Sequence, residues 1–169
     1  AQNLGVTYIF EQRRGYGRAY LSGFPYIKGD FIIMGDPDGT YDFNEIPNFL
    51  LHLKKYDVVL GSRFQGHMKK GSMPFLHRYL GNPVLRLLLR YLHGVKVSEP
   101  STGFIGLRRN ALRNLGLQEP GMEFSSEMLV QVKKHGFTLK EIPIVYSERL
   151  GSSKLRTWRD GFRHVRYLI

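Results

Sequence analysis

The protein has 169 residues and a formal net charge of +11, from 25 lysines and arginines against 14 aspartates and glutamates. This length fits one domain, and 42% hydrophobic with 13% aromatic residues supply enough apolar material for a core, which excludes intrinsic disorder, collagen-like repeats and a polar linker. The sequence has no cysteine, which excludes disulfides and thiolate metal sites and fits a reducing compartment. It also has no apolar run of membrane-span length.

The first part of the chain predicts alternating strands and helices. Apolar runs of strand length occur at residues 5–10, 31–34 and 57–60, and the last of these is expected to stop at the turn that begins with Gly61. Helices are predicted between them, at 18–28 and 44–55. Because continuous apolar runs are typical of strands covered on both faces, we predict an α/β domain with a parallel or mixed sheet.

The rest of the chain predicts a longer series of elements. Residues 64–75 contain glycines, Pro74 and two lysines and are predicted to form a mobile basic loop. A helix at 76–92 is expected to present one apolar side, made of Leu80, Val84, Leu87, Leu88 and Leu92. The remaining predictions are a strand at 103–107, helices at 110–115 and 125–135, an edge strand with Pro143 at 138–145, and a basic helix at 157–169.

The charges are distributed unevenly along the chain. Residues 1–50 contain four basic and six acidic residues, a net charge of −2, so the remainder carries +13. An acidic corner on a basic domain indicates anionic ligands, with a metal ion between the two kinds of charge. A solvated basic surface explains the composition equally well.

Asp36 and Asp38 are the residues most suggestive of chemistry. They stand at positions i and i+2 just after a predicted buried strand, where open α/β sheets bind ligands. Such a pair can hold a hard divalent cation and leave positions open for phosphate oxygens. Gly35 and Gly39 allow the backbone to approach a ligand closely. The alternative is an ordinary acidic turn, because Asp-Pro-Asp-Gly is favourable turn chemistry by itself.

Segment 29–42, which contains this turn, resembles the Asp-x-Asp strand of family 2 glycosyltransferases with the GT-A fold. The nearest subgroup resembles the dolichol-phosphate mannose or glucose synthases and their bacterial polyprenyl-phosphate relatives. Six further motifs match in register: Arg14 to Ala19; Val59 to Phe64; Met73-Pro74 with Arg78 and Gly81-Asn82; Ser101 to Phe104; Gly121 to Glu127; and Glu141 to Ile144 with Arg149, Gly151, Ser153, Lys154 and Leu155.

The resemblance implies a Rossmann-like GT-A mixed sheet flanked by helices and an enzyme that transfers a sugar, with inversion, from a UDP- or GDP-sugar to a polyprenyl or dolichyl phosphate. Asp36 and Asp38 would hold Mg²⁺ or Mn²⁺, which would act as a Lewis acid on the leaving diphosphate. The residues implied for the donor are Gly15, Gly17, Arg18, Asp36 and Asp38. Those implied for phosphate or acceptor are Arg63, Arg78, Arg149, Ser153 and Lys154.

A catalytic carboxylate is a lesser requirement for such a reaction, because a phosphate acceptor is already ionised near neutral pH. In addition to Asp36 and Asp38, the resemblance implies Glu127 as a catalytic residue by its place in the motif. A helix-surface or capping role for Glu127 is at least as consistent with the sequence. For Arg63 and Arg149 the alternative to phosphate binding is an ion pair at the surface.

The sequence departs from the family pattern in three respects. The family's first two strands, which bind the nucleotide, would precede Ala1. Glu99 stands where the family usually has aspartate, and Ile105 where it usually has arginine. With no initial methionine and a predicted helix running to Ile169, both ends resemble cuts. We therefore expect residues 1–155 to be a truncated GT-A domain.

The last segment, 156–169, is predicted to form a basic amphipathic helix. Trp158, Phe162, Val165 and Ile169 recur at helical spacing among arginines. Such a helix can lie in a membrane interface, and docking onto the domain's own core is equally consistent with the pattern. The first interpretation places the protein in the cytoplasm, at the cytoplasmic face of a membrane.

Two functions other than sugar transfer remain open from the sequence. A nucleic-acid-binding module would explain the high pI, although the basic residues are scattered and no nucleic-acid motif occurs, so nucleic acid is not an expected partner. The other is an inactive fragment with a structural role. Loss of the first strands would expose a sheet edge, which favours pairing into a homo-oligomer.

Overall fold

A computed structural model describes residues 5–68, 77–151 and 157–169, with the side chains of 77–78 and 157–158 excepted. The strands are β1 (Phe31–Met34), β2 (Val58–Met68), β3 (Ile105–Arg108) and β4 (Leu139–Tyr146). The α-helices are α1 (Tyr16–Gly23), α2 (Ile46–Leu53), α3 (Asn82–His93), α4 (Arg109–Asn114), α5 (Phe124–Lys134) and α6 (Thr157–Leu168). Short 3₁₀ turns at Phe24–Tyr26 and Phe43–Glu45 and a π-helical turn at His77–Gly81 complete the regular structure of the described residues.

The four strands form one mixed sheet in the order β1-β3-β2-β4. β3 runs antiparallel to both neighbours, with Phe31 opposite Arg108 and Val58 opposite Leu107, whereas β2 and β4 are parallel. The prediction of a mixed sheet flanked by helices is thereby confirmed. β4 is the last strand of the order, so the edge position predicted from Pro143 is also confirmed.

Helices cover both faces of the sheet. Alternate residues of β2 point to opposite faces: Val58 packs with Leu89 of α3 and Met128 of α5, and Val59 packs with Phe49 of α2. Two clusters of buried apolar residues result, one on each side. This explains why the strand sequences are continuously apolar.

The predicted strand at residues 5–10 is wrong. The segment is irregular and exposed, with Phe10 at 71% of its full accessibility. A strand requires a neighbour for its backbone hydrogen bonds, and none of the strands in the described ranges pairs with this segment. Apolar composition alone therefore did not decide its structure.

β2 extends to Met68 instead of stopping at Gly61. Parallel pairing with β4 continues along it, with an irregular register between Ser62 and His67. Gly66 allows this close approach, because a Cβ there would collide with the backbone of Ile144. The first residues of the predicted basic loop are thus strand, and its residues 69–75 lie outside the described ranges.

The buried side of α3 differs from the predicted one. Leu85 and Leu89 face the core and Leu88 is partly buried, whereas the predicted Leu87 is 48% exposed. Leucines occupy several sides of this helix, so spacing alone permits more than one apolar stripe. Packing against α5 and α6 selects the Leu85 side.

α6 docks onto the domain through one side only. Its His164 and Leu168 are buried, and the Leu168 carbonyl lies 3.0 Å from Nε2 of His93 in α3. Phe162, from the predicted amphipathic stripe, remains 69% exposed. The core-docking alternative is therefore observed, with residues other than those predicted. Within the described parts of the chain, no helix is long and apolar enough to cross a membrane.

Buried His164 is expected to make stability depend on pH. Its Nδ1 lies 2.7 Å from Oγ of Ser126, and burial lowers its pKa from 6.5, outweighing the nearby charges of Glu123 and Asp160. Since the unfolded histidine binds a proton more readily than the folded one, its contribution is complete above pH 6.5 and is lost as pH falls through the folded pKa. Between pH 7.5 and pH 5.5, the melting temperature should fall less for His164→Gln than for the wild type. An equal fall in both proteins would contradict this role of His164.

Candidate active site

Asp36 lies two residues beyond the end of β1, among three tyrosines. Its Oδ1 accepts a hydrogen bond of 3.3 Å from the hydroxyl of Tyr20. Gly103 lies against its other oxygen, since a Cβ on Gly103 would be 2.8 Å from Oδ2 of Asp36 and 3.2–3.3 Å from the hydroxyls of Tyr41 and Tyr16. Tyr41 also accepts a hydrogen bond from the Gly103 amide at 2.8 Å. The turn formed by Ser101 to Phe104 is therefore packed directly on Asp36.

The surroundings of Asp36 favour a nearby cation. Burial raises its pKa and the charge of Asp38 raises it further, against the opposing influence of the Tyr20 hydrogen bond and of Arg149. Burial likewise raises the pKa values of Tyr20 and Tyr41, the latter to about 12. Two carboxylates that disfavour each other's charge would be stabilised by a divalent ion between them.

The two oxygens of Asp38 have different environments. Oδ1 accepts hydrogen bonds from the amide and hydroxyl of Thr40, at 3.1 and 2.5 Å, which fix the turn. Oδ2 is buried and accepts no hydrogen bond from the part of the chain that the structure describes, but it forms an ion pair of 2.7 Å with Nη1 of Arg149. The chain holds Arg149 there, because the Leu150 amide donates to the Asp38 carbonyl at 2.8 Å. Arg149 is thus placed beside the predicted metal ligands.

The Asp36–Asp38 turn fits a divalent cation as a partial site. The buried Oδ2 of Asp38 accepts no hydrogen bond within the described residues and is held only by the ion pair with Arg149, and Asp36 supplies a second hard oxygen ligand. No group of three or more histidine, aspartate or glutamate side chains suited to a metal occurs in the described residues. Such a turn resembles sites in which one or two carboxylates hold Mg²⁺ and substrate phosphates supply further ligands.

The glycine-rich segment from Arg14 to Ala19 packs against the loop before α5. The amides of Gly17 and Arg18 donate to the carbonyls of Gly121 and Pro120, at 3.1 and 3.0 Å. A Cβ on Gly15 or Gly17 would collide with backbone carbonyl oxygens of this loop. Both glycines, predicted to bind the donor, are therefore required for packing. Nε of Arg18 is buried without a hydrogen-bond partner in the described structure. The predicted role of Arg18 in donor binding stays a prediction.

Glu127 holds the same loop. Its buried carboxylate accepts hydrogen bonds from the amides of Gln118, at 2.9 and 3.1 Å, and Glu119, at 2.9 Å. This geometry differs from the capping alternative, because the two amides belong to the loop before α5 and the N-cap residue Glu123 has no side-chain cap. Both carboxylate oxygens of Glu127 are already engaged by this loop. Its catalytic role stays a prediction that the contacts do not favour.

We expect Glu127→Ala to lower the free energy of unfolding by about 1–3 kcal/mol, because the amides of Gln118 and Glu119 lose hydrogen bonds to a charged acceptor. Glu127→Gln should cost less, since its amide oxygen can still accept. Urea denaturation measures both, with exposed Glu148→Ala as the control. Unchanged stability in Glu127→Ala, accompanied by lost transfer, would support the catalytic role instead.

Arg63 is neutralised inside the protein. Its guanidinium forms a buried ion pair with Glu99 and donates to the carbonyl of Ser101 at 3.2 Å. The guanidinium carbon lies 4.7 Å from the ring centre of Tyr146. Burial opposes the charged form, but the Glu99 carboxylate outweighs it and raises the pKa of Arg63. The prediction that Arg63 binds phosphate is therefore not favoured by its contacts.

Glu141 supports this arrangement and was not predicted as a site residue. Its carboxylate accepts hydrogen bonds from the amide of Ser98, at 2.8 and 2.9 Å, and from the amide of Glu99, at 3.1 Å. The loop that carries Glu99 is fixed in this way. Glu141 belongs to one of the motifs that match the family. Its contacts join residues some 40 positions apart, and the local sequence does not indicate them.

Tyr16, Tyr20 and Tyr41 were also missed. Tyr16 and Tyr20 are four residues apart on α1, with ring centres at 5.2 Å, so helical spacing carried a signal that they share a face. Of the other predicted site residues, Ser153 and Lys154 lie outside the described residues, as does the side chain of Arg78.

Residues 1–116 match the family described as glycosyl transferase family 2. The chain belongs to this family. It is 40% identical over 167 residues to the low-salt glycan biosynthesis hexosyltransferase Agl6 of Haloferax volcanii, covering 98% of this chain and 40% of that relative. It is 32% identical over 164 residues to a dolichyl-phosphate hexose transferase of the same organism, covering 95% of this chain and 69% of that relative.

Solved structures of glucosyl-3-phosphoglycerate synthase from Mycobacterium tuberculosis share the fold. The complex with Mn²⁺, UDP and phosphoglyceric acid has a TM-score of 0.66 at 17% identity, covering 94% of this chain and 53% of that one. The complex with Mg²⁺ and UDP has a TM-score of 0.64 at 16% identity, with the same coverage. This likeness confirms the predicted GT-A class of fold.

Proposed function

We propose that the chain belongs to a metal-dependent, inverting glycosyltransferase that moves a hexose from a nucleotide-diphosphate sugar to a polyprenyl phosphate. The observation that carries the proposal is the Asp36–Asp38 turn. It has two adjacent carboxylates, one buried oxygen that accepts no hydrogen bond from the described residues, and an arginine ion-paired with that oxygen. The names of the two Haloferax volcanii relatives support a hexose as the group transferred, and one supports a dolichyl phosphate acceptor.

Asp36 and Asp38 would hold Mg²⁺ or Mn²⁺, which supplies Lewis-acid stabilisation of the leaving diphosphate. Tyr20 orients Asp36 through its hydrogen bond, and Thr40 orients Asp38. Arg149 neutralises Asp38 in this structure and is close enough to turn toward a diphosphate bound there. Arginine suits that role because its planar guanidinium can donate two hydrogen bonds to phosphate.

The acceptor side follows from the same chemistry. A polyprenyl phosphate needs positive charge around its headgroup and no strong general base. We assign Arg78, Ser153 and Lys154 to that headgroup as predictions from the sequence motifs. Arg63 and Glu99 instead act by holding the Ser101–Gly103 turn near Asp36.

A lipid acceptor requires access to a membrane surface. Phe162 on the outer side of α6 is exposed among arginines, and this combination suits an interface with anionic lipids. We therefore retain the division into a transferase domain at 1–155 and a basic helix at 156–169, and the cytoplasmic face of a membrane, as parts of the proposal.

The test is a transfer assay with the full-length protein that contains this chain. UDP- and GDP-hexoses are each incubated with dolichyl phosphate and Mn²⁺, and lipid-linked sugar is quantified. We expect product with one donor class, and none with excess chelator or with dolichol lacking the phosphate. Transfer that persists in chelator contradicts metal dependence, and absence of product with every pair contradicts the proposed transfer reaction.

A further inference from the structure

We propose a second anion-binding site, for a phosphate monoester or diphosphate, at the opposite end of β1 from Asp36. A cavity of about 570 Å³ opens there between the start of β1, the end of α2 and the start of α4. Its charged lining comprises Lys54, Arg108, Arg109 and Arg113, with Asp30 as the acidic member. None of these residues belongs to the candidate active site.

The cavity is separated from the Asp36–Asp38 turn by the length of β1. Phe31 lines the cavity and pairs across the sheet with Arg108. Phe31 and Asp36 are five positions apart in the sequence, which corresponds to roughly 17 Å along an extended chain. One phosphate group therefore cannot contact both places, so the proposal is independent of the transfer reaction.

Two of the four cations are held in place by protein groups. Arg109 forms an ion pair of 2.5 Å with Asp30 and donates to the carbonyl of Lys28 at 2.8 Å. Arg108 donates through Nε to the carbonyl of Leu53 at 2.7 Å, and its Nη1 lies 4.0 Å from Asp57. The carbonyl contacts fix both guanidinium groups, although Asp30 pairs closely with Arg109 and Asp57 lies at the limit of an ion pair with Arg108. Fixed guanidinium groups reduce the ordering required when an anion binds.

The other two cations, Lys54 and Arg113, are exposed and have no ion-pair or hydrogen-bond partner in the described structure. With Asp30 as the only acid among these lining residues, the cavity carries a net charge of +3. Such an excess is costly unless an anion or solvent compensates it. Three arginines favour phosphate in particular, because guanidinium pairs with it through two hydrogen bonds.

The phosphate could belong to a soluble ester or to a lipid headgroup. Phe31 is 39% exposed in the cavity wall and offers an apolar surface beside the cations. This surface accommodates the non-phosphate part of either kind of ligand. The shared chemistry is a phosphate with at least one negative charge and an adjoining apolar group, and experiment must separate the two sources.

The first arm titrates the full chain with inorganic pyrophosphate by calorimetry, in chelator and 150 mM salt. We expect the double variant Lys54→Ala/Arg113→Ala to bind about tenfold more weakly than the wild type. The control Lys133→Ala/Lys134→Ala removes the same charge from the exposed end of α5 and should bind as the wild type does. Arg149→Ala is titrated in parallel to report any pyrophosphate bound at the candidate active site, and Asp30→Asn should strengthen binding at the second site.

If the control Lys133→Ala/Lys134→Ala lost as much affinity for pyrophosphate as Lys54→Ala/Arg113→Ala, net charge alone would explain the weaker binding. That result would overturn the proposal. Loss only in Arg149→Ala would assign pyrophosphate to the candidate active site, with the same consequence. Circular dichroism checks that each variant is folded, and the expected gain in Asp30→Asn cannot arise from misfolding.

The second arm sediments the chain with phosphatidylcholine vesicles containing 20% phosphatidic acid. Loss of sedimentation in the Lys54/Arg113 variant, with competition by pyrophosphate, identifies a lipid headgroup as the ligand. Loss of pyrophosphate binding without any change in sedimentation identifies a soluble ester. Unchanged binding in both arms overturns the site. Because neither arm contains donor, metal or acceptor, these outcomes are independent of whether sugar transfer occurs.

Discussion

Replacing Asp36 or Asp38 by asparagine in the full-length protein is expected to reduce the rate of sugar transfer by two to three orders of magnitude. Each substitution removes a negative charge from the proposed cation site while it keeps the shape of the side chain. Loss of electrostatic stabilisation at a developing charge costs on the order of 10²–10³ in rate. Initial rates with saturating donor and Mn²⁺ measure the effect.

Asp42→Asn is the matched control for this prediction. Asp42 lies in the same segment, and its Oδ1 accepts a hydrogen bond of 2.9 Å from the Asn44 amide, a contact that asparagine can also make. We expect nearly wild-type transfer from it. If Asp36→Asn and Asp38→Asn retained full activity, or if Asp42→Asn lost as much as they do, the assigned role of the turn would be wrong.

Glu99→Ala is expected to destabilise the fold by about 3–5 kcal/mol, the largest stability effect that we predict. Glu99 is fully buried and pairs with the buried guanidinium of Arg63, which would be left charged without a counterion. Urea denaturation of the chain measures the change in the free energy of unfolding. Glu99→Asp should be milder, because it retains the charge.

The double variant Glu99→Leu/Arg63→Met separates lost charge pairing from lost packing. A buried ion pair can often be replaced by apolar residues at little cost, whereas removal of one partner is severe. We therefore expect the double variant to recover most of the stability that Glu99→Ala loses. A double variant no more stable than Glu99→Ala, or a single variant within 1 kcal/mol of the wild type, would contradict the account of this pair.

The sheet was largely predictable because its strands are buried on both faces. β1 and the first residues of β2 are continuous apolar runs, and the structure covers them with α2 on one side and α3 and α5 on the other. Segment 5–10 has similar composition and is not a strand. The difference is the presence of a pairing neighbour, which a single sequence does not reveal.

The position of the Asp36–Asp38 turn was predictable for a related reason. It directly follows a strand, and turn residues next to buried strands carry strong local signals. The contacts that define the site come from distant segments. Gly103 and Arg149 reach the two aspartates from residues more than 60 positions away, and only the folded chain brings them together.

Glu127 and Arg63 show where family position was a weaker guide than local geometry. Both lie in motifs that match the family, and both bind other residues of the protein. Glu127 accepts hydrogen bonds from the amides of Gln118 and Glu119, and Arg63 forms an ion pair with Glu99. Their burial follows from tertiary packing, which has no counterpart in residue spacing. The predicted roles of Glu127 in catalysis and of Arg63 in phosphate binding stay predictions that these contacts do not favour.

Binding of Mn²⁺ in the presence of nucleoside diphosphate tests the central claim most directly. Electron paramagnetic resonance can count the Mn²⁺ bound by the full-length protein with UDP or with GDP. We predict one bound Mn²⁺ with the preferred nucleotide in the wild type and in Asp42→Asn, and none at the same concentrations in Asp36→Asn/Asp38→Asn. Wild-type uptake of Mn²⁺ by that double variant would contradict the claim that the turn holds the metal.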